Sequence, residues 1–262
     1  MRFEGFLEFS TEMKKQLLQK IIDPKLQKYI FFPLDFGFYK QPTDTLKNID
    51  CLVENVVRNK VGSVLMHKGL VKTYQQKLRN SRYPFFLHLT ASSGLYPTVE
   101  KVQIASVQEA KDLGAIGVST LIYLGNSHEL DMLKMLGKIS EEADRLGMLV
   151  YTMMYVADFI KGKFVEKLTI DDIQYAARIA YELGVDIVET RLPDDVKDLA
   201  IIKEFCPIPL IFGDRSSYLE PGYRQNIKLV MQNGYDGVSI SERSLTTLFP
   251  KLLKMTREAL AS

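Results

Sequence analysis

Short apolar runs in this chain stop on residues that can move protons or hold charge. Asp35 closes Phe31–Asp35, His67 and Lys68 follow Gly62–Met66, and His88 and Thr90 close Pro84–Thr90. Tyr155 ends Leu149–Tyr155, Glu189 lies at the end of Val185–Thr190, and Asp214 and Arg215 follow Ile208–Gly213. A last run, Tyr235–Ser241, leads into Ser241-Glu242-Arg243. Carboxyl, phenol and imidazole groups are those that general acid–base catalysis uses, whereas lysine, arginine and serine hold carbonyl oxygens or anions. By the alternation of a strand, Glu189 points the same way as Val185 and Ile187, and His88 the same way as Phe86 and Thr90. Glu189 then either works in a pocket or pairs with Arg191, Lys68 or Arg215. The histidines are His67, His88 and His128. An Asp35/His88/Glu189 metal site is conceivable, but no local ligand spacing supports it, so no metal and no cofactor are expected.

What positions these residues is a repeated rhythm of strand, loop, amphipathic helix and glycine. Leu113-Gly114, Leu146-Gly147, Leu183-Gly184 and Asn233-Gly234 each end a helical pattern on a glycine suited to a left-handed cap, with a strand following. Ser106 precedes Glu109, and Thr169 precedes Asp172, at the capping-box spacing. Together with Ala115–Ile122 the runs above make eight predicted strands. Helices fill the gaps, among them Thr43–Asn59, Ser127–Leu146, Thr169–Leu183 and Ser244–Ala261, and an extra helix over about Thr11–Ile22 precedes the first strand. Eight such units predict a closed (β/α)8 TIM barrel, one α/β domain spanning residues 1–262, and no GxGxxG follows a strand to favour a dinucleotide fold. Active sites of such barrels form at the C-terminal ends of the strands, where the residues above fall.

Composition narrows the partners. A net charge of +2 gives no ground for nucleic acid or an acidic membrane surface. No apolar run reaches the ~18 residues of a membrane span, and the N-terminus has no signal-peptide core. Cys51 and Cys206 make no metal or disulfide pattern. The expectation is a cytoplasmic protein.

The segments PLDFGFY (Pro33–Tyr39), VLMHKGLVK (Val64–Lys72), LHLTASSGLYP (Leu87–Pro97) and IASVQEAKDLGAIGVS (Ile104–Ser119) carry a resemblance, continued through Tyr123–Tyr155 and ARIAYELGVDIVETRLPDD (Ala177–Asp195). Over about residues 11 to 260 the chain resembles the archaeal-type class I fructose-bisphosphate aldolases and 2-amino-3,7-dideoxy-D-threo-hept-6-ulosonate synthases. The resemblance implies a TIM barrel, a small carbonyl substrate that is sugar-like and phosphorylated or not, and a homo-oligomer. Asp35 matches the family's strand-one acid and Tyr155 its strand-five proton-transfer tyrosine. His67, Lys68, His88, Arg191, Arg215, Ser241 and Arg243 become candidate substrate-binding residues.

The same alignment implies departures. Where the family has a Schiff-base lysine in a stretch like DIVKT, this chain reads Asp186-Ile187-Val188-Glu189-Thr190. A carboxylate cannot form the iminium that serves class I aldolases as an electron sink. The phosphate-cradling Gly-Gly corresponds to Gly213-Asp214-Arg215, the strand-eight GRN to Ser241-Glu242-Arg243, and the Pro-Arg-Gly after the tyrosine to Val156-Ala157-Asp158. Phe36 replaces a histidine. The expectation is an aldolase-family enzyme using acid–base chemistry with Asp35, Tyr155 and Glu189 in place of a Schiff base. The alternatives are a non-catalytic barrel serving as a binding or assembly subunit, and a conventional fructose-bisphosphate aldolase or aldolase-type synthase.

Overall fold

The computed structural model describes residues 2–38, 47–59, 62–96, 98–213, 222–240 and 249–261. Eight parallel strands form a closed barrel: β1 (Lys28–Pro33), β2 (Ser63–Met66), β3 (Phe85–His88), β4 (Gly117–Leu124), β5 (Leu149–Ile160), β6 (Ile187–Thr190), β7 (Leu210–Gly213) and β8 (Gly237–Ser239). Each pairs with the next, and β8 returns to β1 through Val238 opposite Ile30, so the sheet has no free edge. The helices between them are α2 (Ile49–Asn59), α3 (Lys68–Ser81), α4 (Val107–Leu113), α5 (Glu129–Leu146), α6 (Ile170–Glu182), α7 (Ala200–Glu204), α8 (Gly222–Gln232) and α9 (Phe249–Leu260), preceded by α1 (Arg2–Ile21). The fold is the (β/α)8 barrel that the rhythm of the sequence predicts.

Local signals behave as the sequence requires. The Ser106 hydroxyl accepts from the Glu109 N–H at 3.0 Å, and the Thr169 hydroxyl from the Asp172 N–H at 3.1 Å. Gly114, Gly147, Gly184 and Gly234 all take positive φ where helices hand over to strands. The predicted helix beginnings at 43–46 and 244–248 lie outside the described residues.

Strand alternation sorts the core into two shells. Outward side chains such as Ile30, Val118, Val150 and Val188 pack under the helices. Inward ones, among them Tyr29, Phe31, Leu65, Phe86, Leu121, Tyr151, Met153, Ile187 and Ile211, fill the barrel. Phe31 packs with Tyr151 at 4.6 Å between ring centroids and with Phe86 at 6.0 Å, so aromatic rings block the middle of the barrel. Val185 belongs to the outer shell, contrary to the alternation assigned to it, because it precedes the first paired residue of β6. Ile21 of α1, with Leu17 and Leu18 beside it, packs onto the inner cluster. Buried Lys14 binds Asp144 and, at 2.9 Å, Asp186 just before β6. That end of the barrel is therefore covered by α1.

The gap after β5 carries a hairpin before its helix. β5 runs past Tyr155 to Ile160, turns through Lys161 and Gly162, both at positive φ, and returns antiparallel as Lys163–Glu166. Two residues of positive φ between paired strands make the tight turn whose twist matches a hairpin.

Candidate active site

Above the aromatic plug the inward positions turn polar. Glu189, 3 % exposed, lies on β6 opposite Met153 of β5. On either side of Met153, Tyr151 and Tyr155 face the same way, and each hydroxyl donates to one oxygen of the Glu189 carboxylate. The tyrosines are four residues apart, about 13 Å along an extended strand, yet their hydroxyls converge on a single side chain. Burial, with the Glu189 charge adding to it, pushes both phenols well above the ordinary tyrosine range, although Arg191 works the other way on Tyr155. Both are therefore neutral donors at physiological pH.

Arg191 completes this half of the mouth. Its guanidinium lies 3.9 Å from the centroid of the Tyr155 ring, donates to the Gly213 carbonyl at 3.1 Å, and approaches Glu189 at 3.9 Å. Its Nε donates to Glu166, delivered by the returning strand of the hairpin, at 3.3 Å. Gly213 leaves the space that the carboxylate occupies: a Cβ there would stand 2.9 Å from Glu189 Cδ and 3.0 Å from Arg191 Nη1.

The other half is built from β1, β2 and β3. Asp35, two residues beyond β1, places Oδ2 3.5 Å from His88 Nε2. His88 Nδ1 meets the Ser119 hydroxyl at 2.8 Å. The His67 ring packs edge-on to His88 at 5.0 Å, and its Nε2 donates to the Asp35 carbonyl at 3.2 Å. His67 Nδ1, also buried, has no hydrogen-bond partner among the described residues. Burial lowers His67 to about 4 and His88 to about 3, the latter helped by the charge of Lys101, so both imidazoles are neutral near pH 7. Burial raises the Asp35 carboxyl to about 6; His67 opposes the rise and Glu189 adds to it. A carboxyl poised so close to neutrality can both take and give a proton.

Of the residues the sequence nominated, Asp35, His67, His88, Tyr155, Glu189 and Arg191 gather at the mouth. Lys68 does not: it opens α3, and its Nζ donates to the Ile104 carbonyl at 2.8 Å and stands 3.4 Å from Glu109. Of the possible partners for Glu189, the structure supplies Arg191 and not Lys68. Arg215, Ser241 and Arg243 lie outside the described residues. No three His, Cys, Asp or Glu side chains among the described residues are placed to share a metal ion. His128 is at the start of α5, 3.5 Å from Glu100.

Three residues of the mouth escaped the sequence reading. Tyr151 shares the parity of Tyr155 but is mid-strand, away from the strand end where reacting groups of such barrels gather. Glu166 comes from the hairpin. Lys101 comes from the loop after β3 and is buried; its amino group donates to the Ser92 hydroxyl and lies 5.0 Å from the centroid of the Tyr123 ring, which itself packs 6.1 Å from Tyr155.

Residues 29–213 match the profile of a family described as DeoC/LacD family aldolase. A 2-amino-3,7-dideoxy-D-threo-hept-6-ulosonate synthase from Archaeoglobus fulgidus is 28 % identical over 227 residues, 86 % of this chain and 82 % of its own. A class 1 fructose-bisphosphate aldolase from Thermoproteus tenax is 28 % identical over 222 residues, 81 % of each chain. In three dimensions the chain is similar to an archaeal fructose-1,6-bisphosphate aldolase solved with its catalytic lysine covalently bound to the carbinolamine intermediate of the substrate. The TM-score is 0.80 at 22 % identity, covering 95 % of this chain and 100 % of the other. Among the described residues no helix is long and apolar enough to cross a membrane.

Proposed function

This chain is a member of the DeoC/LacD aldolase family, and from that premise we propose that it makes or breaks a carbon–carbon bond next to the carbonyl of a small, sugar-like substrate, without a Schiff-base lysine on β6. The observation that carries this reading is the carboxylate of Glu189 fixed between the hydroxyls of Tyr151 and Tyr155 inside the barrel mouth. Glu189 takes the place that the covalent amine holds in relatives of this family, and the reaction becomes acid–base.

In the cleavage direction, the β-hydroxyl of the substrate gives its proton to the Tyr155 oxygen as the Tyr155 proton passes to Glu189. The alkoxide forms a carbonyl, the adjacent carbon–carbon bond breaks, and its electron pair becomes an enolate. Asp35, partly protonated near neutral pH, protonates the enolate carbon. In the synthetic direction the same groups act in reverse order. Tyr155 suits the relay because it donates to Glu189 while its own oxygen lone pairs stay available. Arg191, stacked on its ring, keeps the phenol oriented.

The experiment is incubation of the protein in D2O with dihydroxyacetone phosphate or fructose 1,6-bisphosphate, following deuterium at the carbon next to the carbonyl and cleavage by NMR. The proposal expects exchange or cleavage that survives borohydride treatment and falls sharply in Glu189→Gln. Intact, folded protein that shows neither reaction with either compound favours a non-catalytic barrel. Activity that borohydride abolishes favours a conventional Schiff-base aldolase.

A further inference from the structure

An enolate formed without an iminium leaves negative charge on the carbonyl oxygen, and a buried site must supply a cation or donors for it. Arg191 is occupied by Glu166, the Gly213 carbonyl and the face of Tyr155. Lys68 is turned outward to Ile104 and Glu109. Resting on the non-covalent reading above, we infer that Lys101 is the electrophile of this site, its ammonium group holding the carbonyl oxygen of the substrate as that oxygen becomes an enolate.

Three observations support it. Lys101 is 6 % exposed although it lies in a loop, between the short strands Thr90–Ala91 and Val102–Gln103, whose pairing turns Val102 and Gln103 outward. Lysines are almost never this buried without a specific role or partner. Its amino group also has neighbours that connect to both halves of the mouth: it touches Ser92 and the Tyr123 ring, Tyr123 packs on Tyr155, and its charge acts on His88, which faces Asp35. A small carbonyl compound bridging Tyr155 and Asp35 would therefore present its oxygen near this nitrogen. Finally, burial lowers the amine to about 8, so at pH 7 the ammonium form still prevails by about ten to one. An ammonium made more acidic in this way is the better hydrogen-bond donor to a developing oxyanion.

The electron count balances without further reagents. As the carbon–carbon or α-carbon–hydrogen bond breaks, its pair forms the enolate double bond and the carbonyl π pair moves to oxygen, where the ammonium donates a hydrogen bond. No bond to nitrogen forms.

The test is deuterium exchange into dihydroxyacetone phosphate by wild-type protein, Lys101→Met and Lys101→Arg, each checked for a cooperative thermal transition. Loss of one oxyanion donor predicts a fall of roughly 100-fold or more in Lys101→Met, with substantial activity kept by Lys101→Arg. The wild-type rate should fall above about pH 8 as the ammonium is lost, and the arginine variant, always charged, should keep its rate there. If the methionine variant does not fold, this loss of the alkaline limb in the arginine variant carries the test alone. Unchanged exchange in folded Lys101→Met, an alkaline limb retained in Lys101→Arg, or a borohydride-reduced adduct on Lys101 would each overturn the inference. The first two leave the acid–base reading standing. Wild-type protein that exchanges no proton and cleaves nothing overturns that reading, and the role of Lys101 with it.

Discussion

The hydroxyl of Tyr155 on β5 donates to the carboxylate of Glu189 on β6, and Tyr151, four residues deeper along the same strand, donates to the other oxygen of the same carboxylate. Glu189 thus has both oxygens engaged by neutral donors, in a position where barrel enzymes place their reacting groups. This contact fixes the carboxylate in the mouth, and the proposed relay rests on it.

Removing either end of the relay should abolish turnover by different routes. Glu189→Gln keeps the shape but loses the proton acceptor, and Tyr155→Phe keeps the acceptor but loses the conduit. General acid–base groups contribute about 100- to 10,000-fold, so each variant should lose at least about 100-fold in kcat. The double variant should be little worse than either single one, since the two residues act as a unit. Additive losses measured by steady-state kinetics would show that they act separately.

Gly213→Ala tests the fit of the carboxylate. The new methyl group would press on Glu189 Cδ and Arg191 Nη1, the ends of flexible side chains, so folding should survive at a cost of roughly 1–3 kcal/mol. Activity should fall much further than stability, because the carboxylate is driven off its tyrosines. Equal activity in Gly213→Ala and wild type would show that the position of Glu189 is not critical.

Asp35 makes a prediction about stability and pH. Its folded pKa, about 6, is raised above the ordinary 3.8. Its contribution is therefore most favourable below about pH 4 and is lost as the pH rises through 6, where a buried carboxylate must ionise. Asp35→Asn removes that cost. The variant should gain up to roughly 3 kcal/mol over wild type at pH 7.5 and much less at pH 4.5, with activity lost at both. Thermal melts at the two values check it; a difference independent of pH contradicts the assignment.

At the opposite end of the barrel, Lys14→Met should separate stability from chemistry. Lys14 joins α1 to Asp144 and to Asp186, and its loss strips partly buried Asp186 of its cation while the Val150 N–H remains on it. Breaking such a pair costs roughly 3 kcal/mol, readable as a lower Tm. The rate at the mouth should not change.

The barrel was legible because its signals are periodic and local: alternation for strands, capping boxes and glycine stops for helices. The half of the site at Asp35, His88, Tyr155 and Glu189 was legible for the same reason, since each follows an apolar run on the inward parity. Lys101 and Glu166 were not, because a loop and a hairpin bring them in and no period marks them. The hairpin did leave a signal, Lys161-Gly162 between alternating residues, at the two-residue spacing of a tight β-turn. Tyr151 needed only the alternation already used for Tyr155. The first strand starts earlier than predicted, at Lys28, because its pairing with β8 begins at Tyr29, and Asp35 belongs to the loop beyond it.

The most direct measurement is borohydride reduction of the wild-type protein with dihydroxyacetone phosphate or fructose 1,6-bisphosphate, followed by intact-mass and peptide mass spectrometry. A non-covalent mechanism predicts an unchanged protein mass and undiminished activity. A reduced substrate adduct on any lysine, Lys68 and Lys101 included, would contradict it.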